Sequence, residues 1–269
     1  MMPQVARTMS DAMSSIVFDP AAEYYDRTRA LDPETHAAVI DVLLRELRGR
    51  GRCLEIGVGT GRIALDLARG GIPMAGVDLS APMLSRLVEK AGGRAPFPLA
   101  VADAMALPFP AGAFAAAVAC HVLHLVVPWR RAVGELLRVV RPGGAILVDL
   151  GGTPPGVSAE IRRHFFELTS VGWRDRPGLT DLAELDDLMA ARGVPARSLP
   201  AVTVRSERTL DDIVRRLEDG IYAGCWTLSG EERLAAGRAT REWAIERFGP
   251  LIRLHVVEAT IVWRAYDVR

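Results

Sequence analysis

The chain has 269 residues, 49% of them apolar and 25% charged, a composition that suits one substantial α/β core. Its 33 basic residues are balanced by 33 acidic ones, and this neutrality argues against a nucleic acid or other polyanion gripped through its phosphates. Cys53, Cys120 and Cys225 follow neither a disulfide framework nor a zinc spacing, and Met1 to Ser15 lacks the continuous apolar stretch of a signal peptide. Reduced thiols and no run of transmembrane length point to a cytoplasmic protein.

Along the chain, Phe18 to Arg27 precedes a helix that starts near Asp32-Pro33, with Val39, Val42, Leu43 and Leu47 on one face. An apolar strand at Cys53 to Ile56 then runs into Gly57-Val58-Gly59-Thr60-Gly61 and a helix over Ile63 to Ala68, stopped by Gly70-Gly71. The third glycine comes one residue too early for the G-x-G-x-x-G dinucleotide fingerprint, and no Lys-Ser or Lys-Thr follows to make a P-loop. The next strand, Met74 to Val77, ends on Asp78. That acid either faces a ribose across the strand ends or serves only as the first acid of the following helix, with Ser80 as its cap. Ala100 to Ala104 brings a further acid, Asp103, to a strand end, and Phe114 to Cys120 is another strand. Leu137 to Gly144 closes a helix with proline and glycine before a strand over Ala145 to Asp149.

Between Leu54 and Leu150 the chain resembles the class I S-adenosylmethionine-dependent methyltransferases, in particular the small-molecule branch similar to the ubiquinone and menaquinone biosynthesis enzymes. The motifs that carry the resemblance are Glu55-x-Gly57-x-Gly59-x-Gly61, the acids Asp78 and Asp103 at successive strand ends, and Arg138 to Gly144. The resemblance implies a Rossmann-like three-layer sandwich, with a mostly parallel seven-stranded sheet, an antiparallel last strand and helical cap insertions. It implies S-adenosyl-L-methionine as cofactor and S-adenosyl-L-homocysteine as product. Glu55, Gly57, Gly59 and Gly61 would pass its methionine part, Asp78 with Leu79 its ribose, and Asp103 with Ala104 its adenine. Tyr25 and Arg27 would belong to a lid folded over it, with Tyr24 toward the acceptor, although both tyrosines could equally just pack that lid down. Where the family opens its fourth strand with Phe-Asp, this chain has Phe114-Ala115, which touches a local loop more than the cofactor site.

On this reading residues 1–269 form a single methyltransferase domain. Its core spans about 38–152, 182–206 and 255–267, with cap segments at about 1–36, 156–180 and 209–248. Gly151 to Gly156 reads as a flexible connector, Ala159 to Val171 and Leu182 to Ala191 as helices, and Ala201 to Arg205 as a strand. Thr209 with Asp212, and Ser229 with Glu232, start two cap helices, and Val256 to Tyr266 suits the antiparallel last strand. Trp173, Trp226, Phe165, Phe166 and Tyr222 either line an acceptor cavity or pack the cap. The doublets Arg130-Arg131, Arg162-Arg163 and Arg215-Arg216 read as solvated helix faces.

The expected reaction is in-line displacement of the methyl group by a small acceptor, neutral or apolar in character, with no nucleic acid, membrane or metal partner. Orientation of two bound reactants is worth roughly 7 to 11 kcal/mol. A base is needed only where the acceptor still holds its proton, and His121, leaving strand four, is the candidate catalytic residue, with His124 behind it as a pocket residue. His121 could also be a structural hydrogen-bonding group. No N-P-P-Y or D-P-P-Y follows strand four, Cys120 reads as core rather than as a nucleophile, and no cluster of acids and histidines suggests a metal. A non-catalytic cofactor-binding protein, or a nicotinamide oxidoreductase disfavoured by the glycine spacing, remain as alternatives.

Overall fold

The computed structural model describes residues 15–151, 156–173 and 177–269. The expected connector at Gly152 to Pro155 and the stretch before Ser15 lie outside the described residues.

A short α1 (Tyr25–Arg29) precedes α2 (Pro33–Leu47). The second helix begins where the Asp32 carboxylate accepts the Thr35 amide at 2.9 Å, and Pro33 fills a first-turn position that needs no donor. Its predicted apolar face is buried. Alternation then takes over, with β1 (Cys53–Ile56), α3 (Ala64–Arg69), β2 (Met74–Asp78) and α4 (Ala81–Lys90), which Ser80 caps by accepting the Met83 amide. β3 (Leu99–Val101), β4 (Phe114–Cys120), α5 (Trp129–Val139) and β5 (Val140–Asp149) complete the first half. The second half comprises α6 (Val157–Glu167), α7 (Leu182–Ala190), β6 (Ala196–Ser198), β7 (Val202–Thr209), α8 (Leu210–Glu218), α9 (Gly230–Phe248), β8 (Leu254–Ile261) and β9 (Arg264–Asp267).

Seven strands form one sheet in the order β3-β2-β1-β4-β5-β9-β6, with β9 antiparallel to both its neighbours. Strands β1 and β4 are buried along their whole length, as expected where helices cover both faces of a parallel sheet. On one face pack Trp129, Val133 and Leu136 of α5 with Leu185 and Met189 of α7; on the other pack Val39 and Leu43 of α2 with Leu65 and Leu87. These faces make the three layers that the sequence implies. A third apolar cluster joins Ile161 and Phe165 of α6 to Leu210, Ile213, Val214 and Leu217 of α8 and Ala236 of α9, forming a cap with a core of its own. The order of strands reverses direction at β1, flanked by β2 and β4, which opens a crevice beyond the carboxyl ends of these strands.

Three sequence expectations need correction. The strand near Ala201 to Arg205 does not join the main sheet; β6 does, while β7 pairs with β8 in a separate two-stranded ribbon. The single final strand over Val256 to Tyr266 is broken after Ile261, where Trp263 is fully buried and its carbonyl accepts the Leu199 amide at 2.9 Å. Its β-branched residues suit either ribbon or sheet, so propensity does not reveal the break. Finally, β5 begins at Val140 rather than Ala145, with a register shift as Val140 pairs Phe114 and Ala145 pairs Ala116. Arg141 to Gly144 bulge out of the ladder, and a Cβ on Gly144 would lie 2.6 Å from the Ala115 carbonyl oxygen, which explains the glycine there.

Candidate active site

Beyond the end of β1 the chain turns through Gly57, Gly59 and Gly61, whose φ angles of 61°, 53° and 76° fall in the left-handed region that glycine enters without strain. A Cβ on Gly57 would meet Val122 Cγ2 at 2.5 Å, and one on Gly61 would meet Leu87 and Leu65 side chains below 3 Å. Gly61 therefore serves helix packing, as its spacing suggests, whereas Gly57 lets Val122 approach the loop. Glu55, the last but one residue of β1, is 2% exposed, and its Oε2 has no hydrogen-bond partner. Burial pushes its carboxyl up to about 8, against the opposing pull of the Arg62 guanidinium.

At the tip of β2, Asp78 Oδ2 accepts the Gly59 amide at 2.8 Å and Oδ1 accepts the Ser80 amide at 2.9 Å. The acid supports the helix start through the Ser80 amide and at the same time faces the glycine loop. Burial raises its pKa, and the two amides offset part of that rise. Leu79 follows at the same sheet edge. Asp103 and Ala104 lie just past β3, where Asp103 Oδ1 accepts the Met105 amide at 2.8 Å and the Ala102 amide donates to the Asp78 carbonyl. The ribose-side and adenine-side candidates thus sit on adjoining strand ends.

A narrow cleft opens among Tyr25, Glu55, Gly57, Gly59, Thr60, Arg62 and Cys120. Tyr25 comes from α1, which is fastened over the loop: Asp26 accepts from the Thr60 hydroxyl at 2.7 Å and from Lys90 Nζ at 2.9 Å. Tyr24, its neighbour, accepts from Trp226 Nε1 at 2.9 Å and donates to the Gly220 carbonyl, so it ties α1 to the cap. Arg27 is exposed, and the inward arginine of this helix is Arg29, two positions on. The spacing of a five-residue helix cannot show which arginine turns in.

The sheet edge also assembles a polar chain that the sequence only half discloses. Cys120 pairs with Asp149 across β4 and β5, and His121 follows at once. His121 Nε2 lies 2.8 Å from Asp149 Oδ2, while Oδ1 of that buried carboxylate accepts the Gly151 amide at 2.9 Å. The other ring nitrogen, Nδ1, is 3.4 Å from Arg62 Nη2, which also reaches Cys120 Sγ at 3.6 Å. A carboxylate at Nε2 and a guanidinium at Nδ1 select the tautomer with its proton on Nε2. The backbone of His121 is itself left-handed, with φ 51°, pinned by its amide donating to the Asp149 carbonyl at 2.8 Å.

Cys120, His121 and Asp149 bring one ligand atom each within 4.8 Å of one another, contrary to the expectation that no such group gathers at the strand ends. Adjacent strand ends explain it. Arg62 touches two of the three, so a fixed cation already meets these donors. Against the effect of burial, Cys120, Tyr25, Asp149 and Glu55 hold the Arg62 guanidinium above its usual range, and it stays charged. Burial pushes the Cys120 thiol far above its usual range, which keeps it unreactive, as its core reading requires.

His124 lies in a 3-10 turn whose backbone accepts the Gly178 amide, away from this chain of groups. Trp226 meets Phe18 edge-on at 5.0 Å between ring centres, whereas Trp173 stands at the cap surface, 38% exposed. Phe165 is cap core.

Comparison with known proteins agrees with this layout. Residues 54–148 match the family described as "Methyltransferase domain". This segment resembles a methyltransferase domain. Its relatives include a demethylmenaquinone methyltransferase of Beutenbergia cavernae, 32% identical over 155 residues, covering 56% of this chain and 62% of the relative. That of Thermus thermophilus is 36% identical over 120 residues, covering 43% of this chain and 54% of the relative. The chain thus spans between half and two thirds of the length of these two relatives. Among solved structures, a putative methyltransferase of Bacillus halodurans superposes with a TM-score of 0.59 at 14% identity, covering 87% of this chain and all of that one, a likeness of fold. The match ends within β5, so α6 through α9 lie outside it.

The chain's own residues fit the cofactor of that family. Glu55 lines the cleft with a buried oxygen that has no hydrogen-bond partner, and Asp78 is held by two amides at the height of the glycine loop. The enclosed part of this cleft is far smaller than the roughly 300–1,000 Å³ of small-molecule pockets, so it takes a nucleoside-sized ligand only if α1 draws back.

Proposed function

We propose that the protein is an S-adenosylmethionine-dependent methyltransferase acting on a small-molecule acceptor in the cytoplasm. The observation that carries the reading is the Asp78 carboxylate tied to the Gly59 amide, which fuses the acid of β2 and the glycine loop of β1 into one surface. The free thiols of Cys53, Cys120 and Cys225 support the compartment. No described helix is long and apolar enough to cross a membrane.

Glu55, Gly57 and Gly59 would hold the methionine part of the cofactor, Asp78 and Leu79 its ribose, and Asp103 and Ala104 its adenine. When bound, the cofactor supplies an electrophilic methyl group on a sulfonium. Tyr25 and the rest of α1 exclude water from the cleft and fix the angle of approach. His121 Nδ1 carries the lone pair and takes a proton from an acceptor hydroxyl or carbon acid. Asp149 then stabilises the imidazolium through Nε2, in the arrangement that orients catalytic histidines elsewhere. Arg62 has to release Nδ1 for this, since a proton and a guanidinium cannot share one lone pair. Binding of the donor and its demethylated product, but not nicotinamides, in a thermal-shift assay would test the cofactor. Transfer of a labelled methyl group into an extract of small metabolites would test the activity, and labelled donor that binds without transfer would reduce the protein to a binder.

A further inference from the structure

We propose that the methyl acceptor carries an oxyanion, a carboxylate or phosphate, seated between α1 and the cap on Arg29 and Arg216 beside Tyr222. This inference rests on the methyl-transfer reading and names the substrate class, replacing the neutral acceptor that the sequence suggests.

The two arginines come from separate parts of the chain and cross over each other's backbones, Arg29 reaching the Ile221 carbonyl and Arg216 the Thr28 carbonyl. The Arg29 guanidinium lies 5.4 Å from the centre of Tyr222 and donates to the Ile221 carbonyl. Arg216 on α8 donates through Nη2 to the Thr28 carbonyl at 2.7 Å, and its Nε is buried without an acceptor. Arg162 on α6 contributes a third guanidinium 5.7 Å from the same ring. Residues 162 and 216 therefore do not lie on solvated faces, as their doublets suggest; their neighbours Arg163 and Arg215 are exposed.

What sets this cluster apart among the described residues is that two guanidinium groups come together without a carboxylate. Several other partly buried arginines face carboxylates, as Arg197 faces Glu46 and Asp267, Arg241 faces Glu218 and Arg264 faces Asp186, while Arg233 rests singly on the Glu218 and Leu228 carbonyls. Among the described residues no carboxylate pairs with Arg29 or Arg216; Arg216 relies on a backbone carbonyl, and Arg29 on a backbone carbonyl and the Tyr222 ring. Burial lowers the Arg29 pKa and Arg216 lowers it further, while the neighbours that raise it are Tyr222, Tyr25 and Tyr24. Two guanidinium groups held together without an anion are a costly arrangement that a bidentate oxyanion relieves.

Position links the pair to the reaction. The Arg29 carbonyl accepts from Arg62 Nη1 at 3.2 Å, and Tyr25, one turn earlier on the same helix, lines the cleft. An anion on this pair would hold its remaining part toward the cleft, where its charge also faces the sulfonium. Arg62 is not counted in the pair because it already serves His121.

The test uses the full chain saturated with S-adenosylhomocysteine and titrated calorimetrically with benzoate, phenyl phosphate and neutral benzamide. One anion should bind at least about tenfold tighter than benzamide, and which of the two does so separates carboxylate from phosphate. In Arg216→Gln and, independently, in Arg29→Gln that preference should fall to about unity with folding and product affinity kept, while Arg215→Gln on the exposed side of α8 should retain it. Equal affinity for all three probes, no anion binding at about 10 mM, or a preference that survives both substitutions overturns the proposal. Failure of S-adenosylhomocysteine itself to bind would instead sink the cofactor reading, and the same anion titration of the unliganded protein would still judge the arginine pair.

Discussion

Asp26 on α1 accepts a hydrogen bond from the Thr60 hydroxyl at 2.7 Å, so a helix outside the sheet is fastened to the glycine loop itself. Lys90 adds an exposed ion pair to the same carboxylate. A hydrogen bond to a charged group contributes about 1.5–3 kcal/mol, an exposed ion pair about 1 kcal/mol or less. Asp26→Ala should therefore speed release of bound S-adenosylhomocysteine roughly tenfold or more, with little change in melting temperature. Stopped-flow displacement reads this directly, and an unchanged release rate would mean that α1 is no barrier.

Asp78→Ala should weaken donor binding by about one to three decades, because it removes a carboxylate and also frees the Gly59 amide. Calorimetric titration with S-adenosylmethionine checks it; unchanged affinity removes Asp78 from the site.

Glu55 predicts a pH signature. Its carboxyl is raised by burial to about 8, so the folded protein keeps a proton that the unfolded chain loses near the ordinary glutamate value of about 4.3. The stability this provides is fully present below that ordinary value, declines as pH rises, and is lost through about pH 8. Glu55→Gln should flatten that decline in denaturant melts. Binding of the cationic donor should expel the proton at neutral pH, visible as a buffer-dependent heat in calorimetry, and identical heats in two buffers would contradict it.

His121→Ala should lower turnover by about a hundredfold or more while product affinity shifts by less than about threefold, provided the acceptor loses a proton. The check is a split between kcat and the product dissociation constant; an intact kcat leaves His121 as a support for the Asp149 turn alone.

Gly57→Ala should destabilise the fold by about 1–3 kcal/mol or more, since the left-handed backbone and Val122 both oppose a methyl group there. A melting temperature equal to that of the parent would show that Val122 moves aside freely.

The glycine loop and the acids at the ends of β2 and β3 were legible in the sequence because each stands beside a short apolar run whose direction fixes where the acid emerges. Arg62, one residue past the last loop glycine, gave no such signal, since its part depends on the side-by-side ends of β4 and β5. Asp149 likewise shows as a strand end, but its bond to His121 exists only through sheet register. The cap resisted for a related reason. The periodicity of α8 foretold its buried stripe, yet nothing local tells that Arg216 turns toward Thr28 on a helix nearly two hundred residues earlier.

The β7–β8 ribbon has one further implication. It brings the two chain ends of α8 and α9 back together, from Thr209 to Leu254, outside the main sheet. A segment whose entry and exit are neighbours, and which shares its core with α6, can be lengthened, reshaped or exchanged by descent with little disturbance to the strands beneath. Diversity of accepted molecules could then accumulate in that appendage while the donor's seat stays constant.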